Sequence, residues 1–201
     1  MATIPGPDGR PRCRWSAAAP EFLDYHDREW GFPMADDRRL FEKICLEGFQ
    51  SGLSWRTILA KRENFRRAFC GFDPAAVDRF DRKDVERLLA DPGIVRHRGK
   101  IEAAINNAAR ALELIHSEGS LAAYLWRFEP DQSALETPQT RSTSPESIAL
   151  SKDLKKRGWR FVGPTTVYAF MQAMGLVDDH DADCVIRPEA EQARAAFVKP
   201  T

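Results

Sequence analysis

Residues 144–175 read SPESIALSKDLKKRGWRFVGPTTVYAFMQAMG, and the fold class turns on this stretch. Ser144 followed by Pro145 is an N-cap with proline at the first helical position, and the helix it opens runs to Gly158. Gly163–Pro164 opens a second helix, which Gly175 ends. Only the short turn WRFVG joins them. Neither half alternates apolar and polar residues with the period of a strand.

The same punctuation recurs upstream. Pro20 starts a helix ahead of EFLDYHDREW. Asp36 can cap DRRLFEKICLEGF, where Leu40, Phe41, Ile44, Cys45 and Gly48 form one stripe. Ser54 can cap WRTILAKRENFRRAF. Asp73–Pro74 and Asp81 begin two further short helices, and Gly99 opens KIEAAINNAARALELIHS. No segment shows a sustained two-residue alternation, so no sheet is expected and the class is all-α. Residues 1–11 read as a flexible tail, 129–145 as a long polar surface loop, and 188–201 as a C-terminal tail in which EAEQARAAF could form a short helix. That leaves a helical domain over 12–187. Its middle helices form one expected lobe, and the N-terminal segment with the residues after 144 forms the other.

The chain has 201 residues, with 30 basic and 30 acidic side chains and no net charge. A chain this long should bury about 70% of its unfolded surface, so it needs no disulfides. Its cysteines, Cys13, Cys45, Cys70 and Cys184, are then core residues, ligands or nucleophiles in a reducing cytosol. No apolar run approaches the roughly 20 residues that span a bilayer. The N-terminus has no apolar signal region, and a cytoplasmic protein without membrane contact is expected. Neutrality does not dispose of nucleic acid, because the charge is locally polarised. Residues 92–100 hold Arg96, Arg98 and Lys100 with no acid, and 152–160 hold five basic residues and one Asp. A lone basic run can be a solvated helix face. The second run, however, leads into the helix opened by Gly163, Pro164 and Thr165, whose free backbone N–H groups suit a phosphate. V-G-P-x-T resembles the hairpin of helix-hairpin-helix DNA-binding proteins, although Arg160 or Phe161 stands where their fuller pattern has an earlier glycine.

Two further constellations carry chemistry. Cys13, His26, His180 and Cys184 supply two thiolates and two imidazoles, a set suited to tetrahedral zinc. His180 and Cys184 would share one face if their segment is helical. The alternative is an incidental cysteine in a tail and a solvated histidine in an acidic loop. Four protein ligands would make the zinc structural. Glu47 lies about 20° from Leu40 around its helix, on the shoulder of the apolar stripe. It either snorkels to water or pairs with an Arg, or it faces a pocket with Tyr25 and Trp55. Two aromatic faces and one acceptor would suit a flat cationic ring.

RCRW, YHDREWG, LFEKICLEGFQSGLSW, KRENFRRAF, GIVRHRGKI and ALSKDLKKRGWRFVGPTTVYAFMQAMGLVDDH closely resemble the type I 3-methyladenine-DNA glycosylases, which belong to the helix-hairpin-helix superfamily. The resemblance runs from about Cys13 to Cys184. It implies a helix-hairpin-helix glycosylase fold with Cys13, His26, His180 and Cys184 as zinc ligands joining the terminal segments. It implies Glu47 as the carboxylate that recognises methylated adenine, Tyr25 and Trp55 as pocket walls, and Phe22 where a relative has tyrosine. Gly52 and Leu53 would press into the gap left by an extruded nucleotide, with Arg98, Lys100, Gly163 and Thr165 on the DNA backbone. Asp178 stands where this family commonly has Asn. It is either a carboxylate near the reaction centre or a partner of a metal ligand. The expected substrate is double-stranded DNA with alkylated bases, bound by a monomer. With no lysine placed for Schiff-base chemistry, the expected reaction is hydrolysis without strand cleavage. A zinc-stabilised DNA-binding module without catalysis and a zinc hydrolase with an open coordination position are the alternatives.

Overall fold

A computed structural model describes residues 3–131 and 141–201. Among these residues ten α-helices dominate: α1 (Pro20–Arg28), α2 (Asp37–Gln50), α3 (Trp55–Ala68), α4 (Pro74–Val77), α5 (Arg82–Ala90), α6 (Arg98–Glu118), α7 (Leu121–Trp126), α8 (Pro145–Lys156), α9 (Pro164–Ala173) and α10 (Arg187–Ala196). The expected caps act as such. The side chain of Asp36 accepts from the Arg39 N–H, that of Ser54 from Thr57, and that of Asp73 from Ala75. Asp81 with Asp84 and Ser144 with Ser147 form reciprocal capping boxes. α6 starts one residue before Gly99, because His97 accepts from the Lys100 N–H and caps it. Most of the expected loop over 129–145 (residues 132–140) lies outside the described residues.

The expectation of no sheet needs correction. β1 (Thr3–Pro5) and β2 (Pro11–Cys13) pair antiparallel, with Thr3 opposite Cys13. Three-residue strands carrying prolines are too short to show an alternation. The tail is also tied down: Arg12 forks onto Asp8 and Asp27, and Val185 N–H donates to the Pro11 carbonyl at 2.8 Å. The two ends of the chain therefore meet through backbone as well as side chains.

One main apolar cluster runs from Tyr25 to Val177 and draws on α1 through α9. α2 packs against α3, α6, α7 and α9, and α8 lies against α9. Gly48 on α2 permits this closeness: a Cβ there would stand 3.3 Å from the Phe161 Cβ in the α8–α9 turn. No described helix is long and apolar enough to cross a membrane.

Candidate active site

α1, α2, the start of α3, and the segment after α9 converge on a cavity of about 230 Å³. Trp15, Tyr25, Trp30 and Trp55 supply its aromatic walls, Gln50 and Gln172 its amides, and Glu47, Asp179 and Asp181 its carboxylates. No lysine or arginine lines it. Glu47 is 5% exposed and has turned inward rather than snorkelling. Its partner is a cation, but the lysine four residues earlier rather than an arginine: Lys43 Nζ stands 2.8 Å from Glu47 Oε1.

Lys43 is a residue of the site that the sequence reading did not single out. It donates to the Tyr25 hydroxyl at 2.6 Å and sits 3.5 Å from the Trp55 ring centroid and 4.8 Å from that of Tyr25. Burial pushes its ammonium below the ordinary lysine range, and Glu47 works against that shift. Lys43 does not line the cavity; it lies in a small recess behind the aromatic pair, with Glu29, Arg39 and Arg62. Tyr25 and Trp55 touch each other, their centroids 5.3 Å apart and their planes tilted by 43°. A flat ring sandwiched between two faces needs about 7 Å, two van der Waals separations. Tyr25 and Trp55 therefore leave no room for a ring between them and form one wall of the cavity together. The Trp55 Nε1–H is buried without a partner among the described residues. Phe22 does not line the cavity and packs edge-on against Trp15 at 5.9 Å.

Behind Trp15 and Trp30 lies a group of possible metal ligands. Cys13, His26 and Cys184 are buried, with one ligand atom from each within 4.8 Å of the others. Cys184 Sγ is 3.6 Å from His26 Nε2, and Cys13 Sγ accepts the Asp181 N–H at 3.3 Å. The neighbouring Cys184 and burial push the Cys13 thiol up, while Cys13 and His26 hold Cys184 well below the ordinary thiol range. His180 stands beside them, its ring centroid 5.0 Å from that of His26. Its Nε2 is fully buried with no hydrogen-bond partner among the described residues. Each imidazole has its Nδ1 2.7 Å from a carboxylate, Asp27 for His26 and Asp178 for His180, which leaves both Nε2 atoms for another partner. Residues 178–184 form turns rather than the helix face envisaged for His180 and Cys184. Asp178 also accepts the His180 backbone N–H, and it lines a different cavity with Trp126 and Arg187. Of the two aspartates in VDDH, Asp179 faces the aromatic cavity, where it accepts from Tyr168 and Gln172 at 2.8 and 2.6 Å.

The expected DNA-facing residues are dispersed differently. Leu53 is exposed at the turn between α2 and α3. Lys100 is buried and donates to the Phe49 and Ser51 carbonyls at 2.9 and 2.5 Å, so it fixes the end of α2 from within. Arg98 is exposed and paired with Glu86 and Glu102. Gly163 caps α9 without a side chain, and Thr165 follows Pro164 in its first turn. The α8–α9 turn is held from α6, where Asn107 exchanges two hydrogen bonds with the Arg160 backbone and Asn106 donates to the Gly158 carbonyl.

Comparison with known proteins places this arrangement. The methyladenine glycosylase family matches residues 15–187. DNA-3-methyladenine glycosylase 1 of Escherichia coli (strain K12) is 49% identical over 181 residues, 88% of this chain and 97% of that protein. The DNA-3-methyladenine glycosylase of Haemophilus influenzae is 46% identical, covering 86% of this chain and 96% of its own. Among solved structures, a crystal structure of 3-methyladenine DNA glycosylase I superposes with a TM-score of 0.79 at 48% identity, over 87% of this chain and 98% of that one. The Staphylococcus aureus 3-methyladenine DNA glycosylase I, solved to explain 3-methyladenine recognition, gives 0.81 at 37% identity, over 88% and 96%. Matched over most of its length in both sequence and fold, the chain belongs to the methyladenine glycosylase family of DNA glycosylases.

Proposed function

We propose that the chain flips an alkylated nucleotide out of double-stranded DNA, seats its 3-methyladenine in the aromatic cavity, and hydrolyses the N-glycosidic bond without cutting the strand. The observation that carries this reading is the cavity wall: four aromatic residues and three carboxylates, with no cationic side chain among them. Methylation at N3 makes adenine cationic and a ready leaving group. A wall that binds a cationic ring therefore favours the damaged base over adenine, and it needs to supply little acid catalysis. Glu47 is the acceptor for the ring, with Tyr25 and Trp55 as the stacking wall. Gly52 and Leu53 fill the gap in the stack, while Gly163 and Thr165 at the start of α9 hold the backbone in the manner of a helix-hairpin-helix. Asp178 is a partner of His180 rather than a catalytic group. The enzyme acts as a monomer in the cytoplasm.

The buried donor set fits zinc: two sulfurs, two imidazoles aimed by carboxylates, and an orphaned Nε2 on His180. Cys13, His26, His180 and Cys184 would hold it. Bound there, the ion supplies a structural tie between the terminal segments, and no ligand position is left for water.

Incubation with methylated duplex DNA tests the function. The wild type should release 3-methyladenine, and Glu47→Gln should do so about 100-fold more slowly while still binding DNA. No release by the wild type would leave the second reading, a zinc-stabilised DNA-binding module. No nicked product and no borohydride-trapped adduct should form, because no lysine lines the cavity.

A further inference from the structure

Lys43 is 5% exposed, and its ammonium touches three groups of the proposed pocket at once: the Glu47 carboxylate, the Tyr25 hydroxyl and the Trp55 face. It reaches them from behind, outside the cavity that would take the base. The other charges around it come from three elements and largely cancel. On its own helix, Glu42 pairs with Arg66 at 2.7 Å and Arg39 lies 3.5 Å from Glu29. Glu29, just past the end of α1, is forked by Arg62 of α3 at 2.7 and 2.8 Å. From α1 comes the Tyr25 hydroxyl, and from the end of α9 only the uncharged Met174. What remains beside Lys43 is Glu47, both removed from water; on the cavity side Glu47 shares the wall with Asp181 and with Asp179, which accepts from Tyr168 and Gln172.

A carboxylate buried this deeply strongly favours its neutral form unless a cation or several donors face it. Among the described residues, the cation paired with Glu47 is Lys43. We propose that Lys43 is a positioning residue that keeps the Glu47 carboxylate ionised and aimed into the pocket before the base arrives. This inference rests on the base-recognition role given to Glu47 above. The resident ammonium makes the empty site a closed ion pair. It also occupies the rear of the Trp55–Tyr25 wall, so the incoming cationic ring meets a carboxylate that is already charged rather than one that must first lose a proton.

The test is the pH profile of single-turnover excision on methylated duplex DNA between about pH 5 and 9. A reaction that needs an ionised carboxylate in the pocket loses rate on the acid side, and the position of that limb is the readout. Removing a charge within 4–6 Å moves a carboxylate by about 1–3 pH units, upward when the lost charge is positive. Lys43→Met should shift the acid limb to higher pH by at least about one unit, so that its loss relative to the wild type is largest at the acid end of the range and shrinks as pH rises. Lys43→Arg, which keeps the charge, should hold the limb near its wild-type position. Should Lys43→Met melt below the assay temperature, Lys43→Gln carries the same expectation, since it is neutral but can still donate to Glu47 and Tyr25. An acid limb that coincides with the wild type overturns the proposal, whether or not the rate falls uniformly across the range. A wild type that releases no 3-methyladenine at any pH overturns the function itself, which is a distinguishable result.

Discussion

At Gly31 a single hydrogen atom separates a working site from a crowded one. Its φ is +86°, and a Cβ there would fall 2.7 Å from Cε1 and 3.0 Å from Nδ1 of His180. Gly31→Ala combines left-handed strain with a clash against a ring that is packed against Trp30 and held by Asp178. It should cost at least about 2 kcal/mol in urea unfolding and lower the zinc content of the purified protein. Cys184→Ser should also lose zinc, measured by elemental analysis, without requiring the backbone to move. Residue identities made much of this site legible. A cysteine and a histidine near each end of the chain invite a common ligand site, and a glutamate on an apolar shoulder has to be explained. Lys43 was not legible, because a lysine and a glutamate four apart on a helix ordinarily make an exposed pair of small consequence. Only the depth of burial shows otherwise. Asp179 escaped the sequence reading for the same kind of reason, since neighbours outside regular structure can face opposite cavities.

At the scale of elements, capping side chains made the helix starts readable from residue types alone, as Ser54, Asp81 and Ser144 illustrate. The short α7 escaped notice: LAAYLW is apolar on every side and carries no periodicity. Also hidden was what holds the α8–α9 turn. Phe161 there has a φ of +55°, an uncommon conformation for a bulky residue, and the turn keeps its shape through Asn106 and Asn107 of α6 and the Ser151 hydroxyl on the Val162 carbonyl. Asn107 is 4% exposed and accounts for both polar groups of the Arg160 backbone. Asn107→Ala should therefore cost about 2 kcal/mol by thermal melt, and it should weaken duplex binding in a gel-shift assay, because the start of α9 loses its fixed aim. If the turn were a passive connection, the stability loss would come with unchanged DNA affinity.

At the scale of the whole molecule, zero net charge becomes a quantitative statement about how DNA is held. Counting basic residues in 92–100 and 152–160 overstates what phosphate can use. Lys100 is turned inward onto carbonyls, Arg98 is paired with Glu86 and Glu102, and Arg157 with Asp153 and Glu118. What the two segments leave is Arg96, Lys152, Lys155, Lys156 and Arg160, all exposed, together with backbone amides that carry no counterion to exchange. Each neutralised phosphate contributes about 0.9 to the slope of log affinity against log salt, so two to four contacts give a slope of about −2 to −4. With three contacts, raising salt from 50 to 200 mM should weaken binding to undamaged duplex by about 40-fold. A fluorescence-anisotropy titration over that range checks it. A loss of a thousandfold or more would mean six or more phosphates neutralised, and the ion pairs at Arg98 and Arg157 would then have to open on the DNA. Replacing both Glu86 and Glu102 with Gln separates these outcomes: with Arg98 released, the slope should steepen by about one unit if that arginine stays paired in the wild-type complex, and stay the same if DNA already opens the pairs.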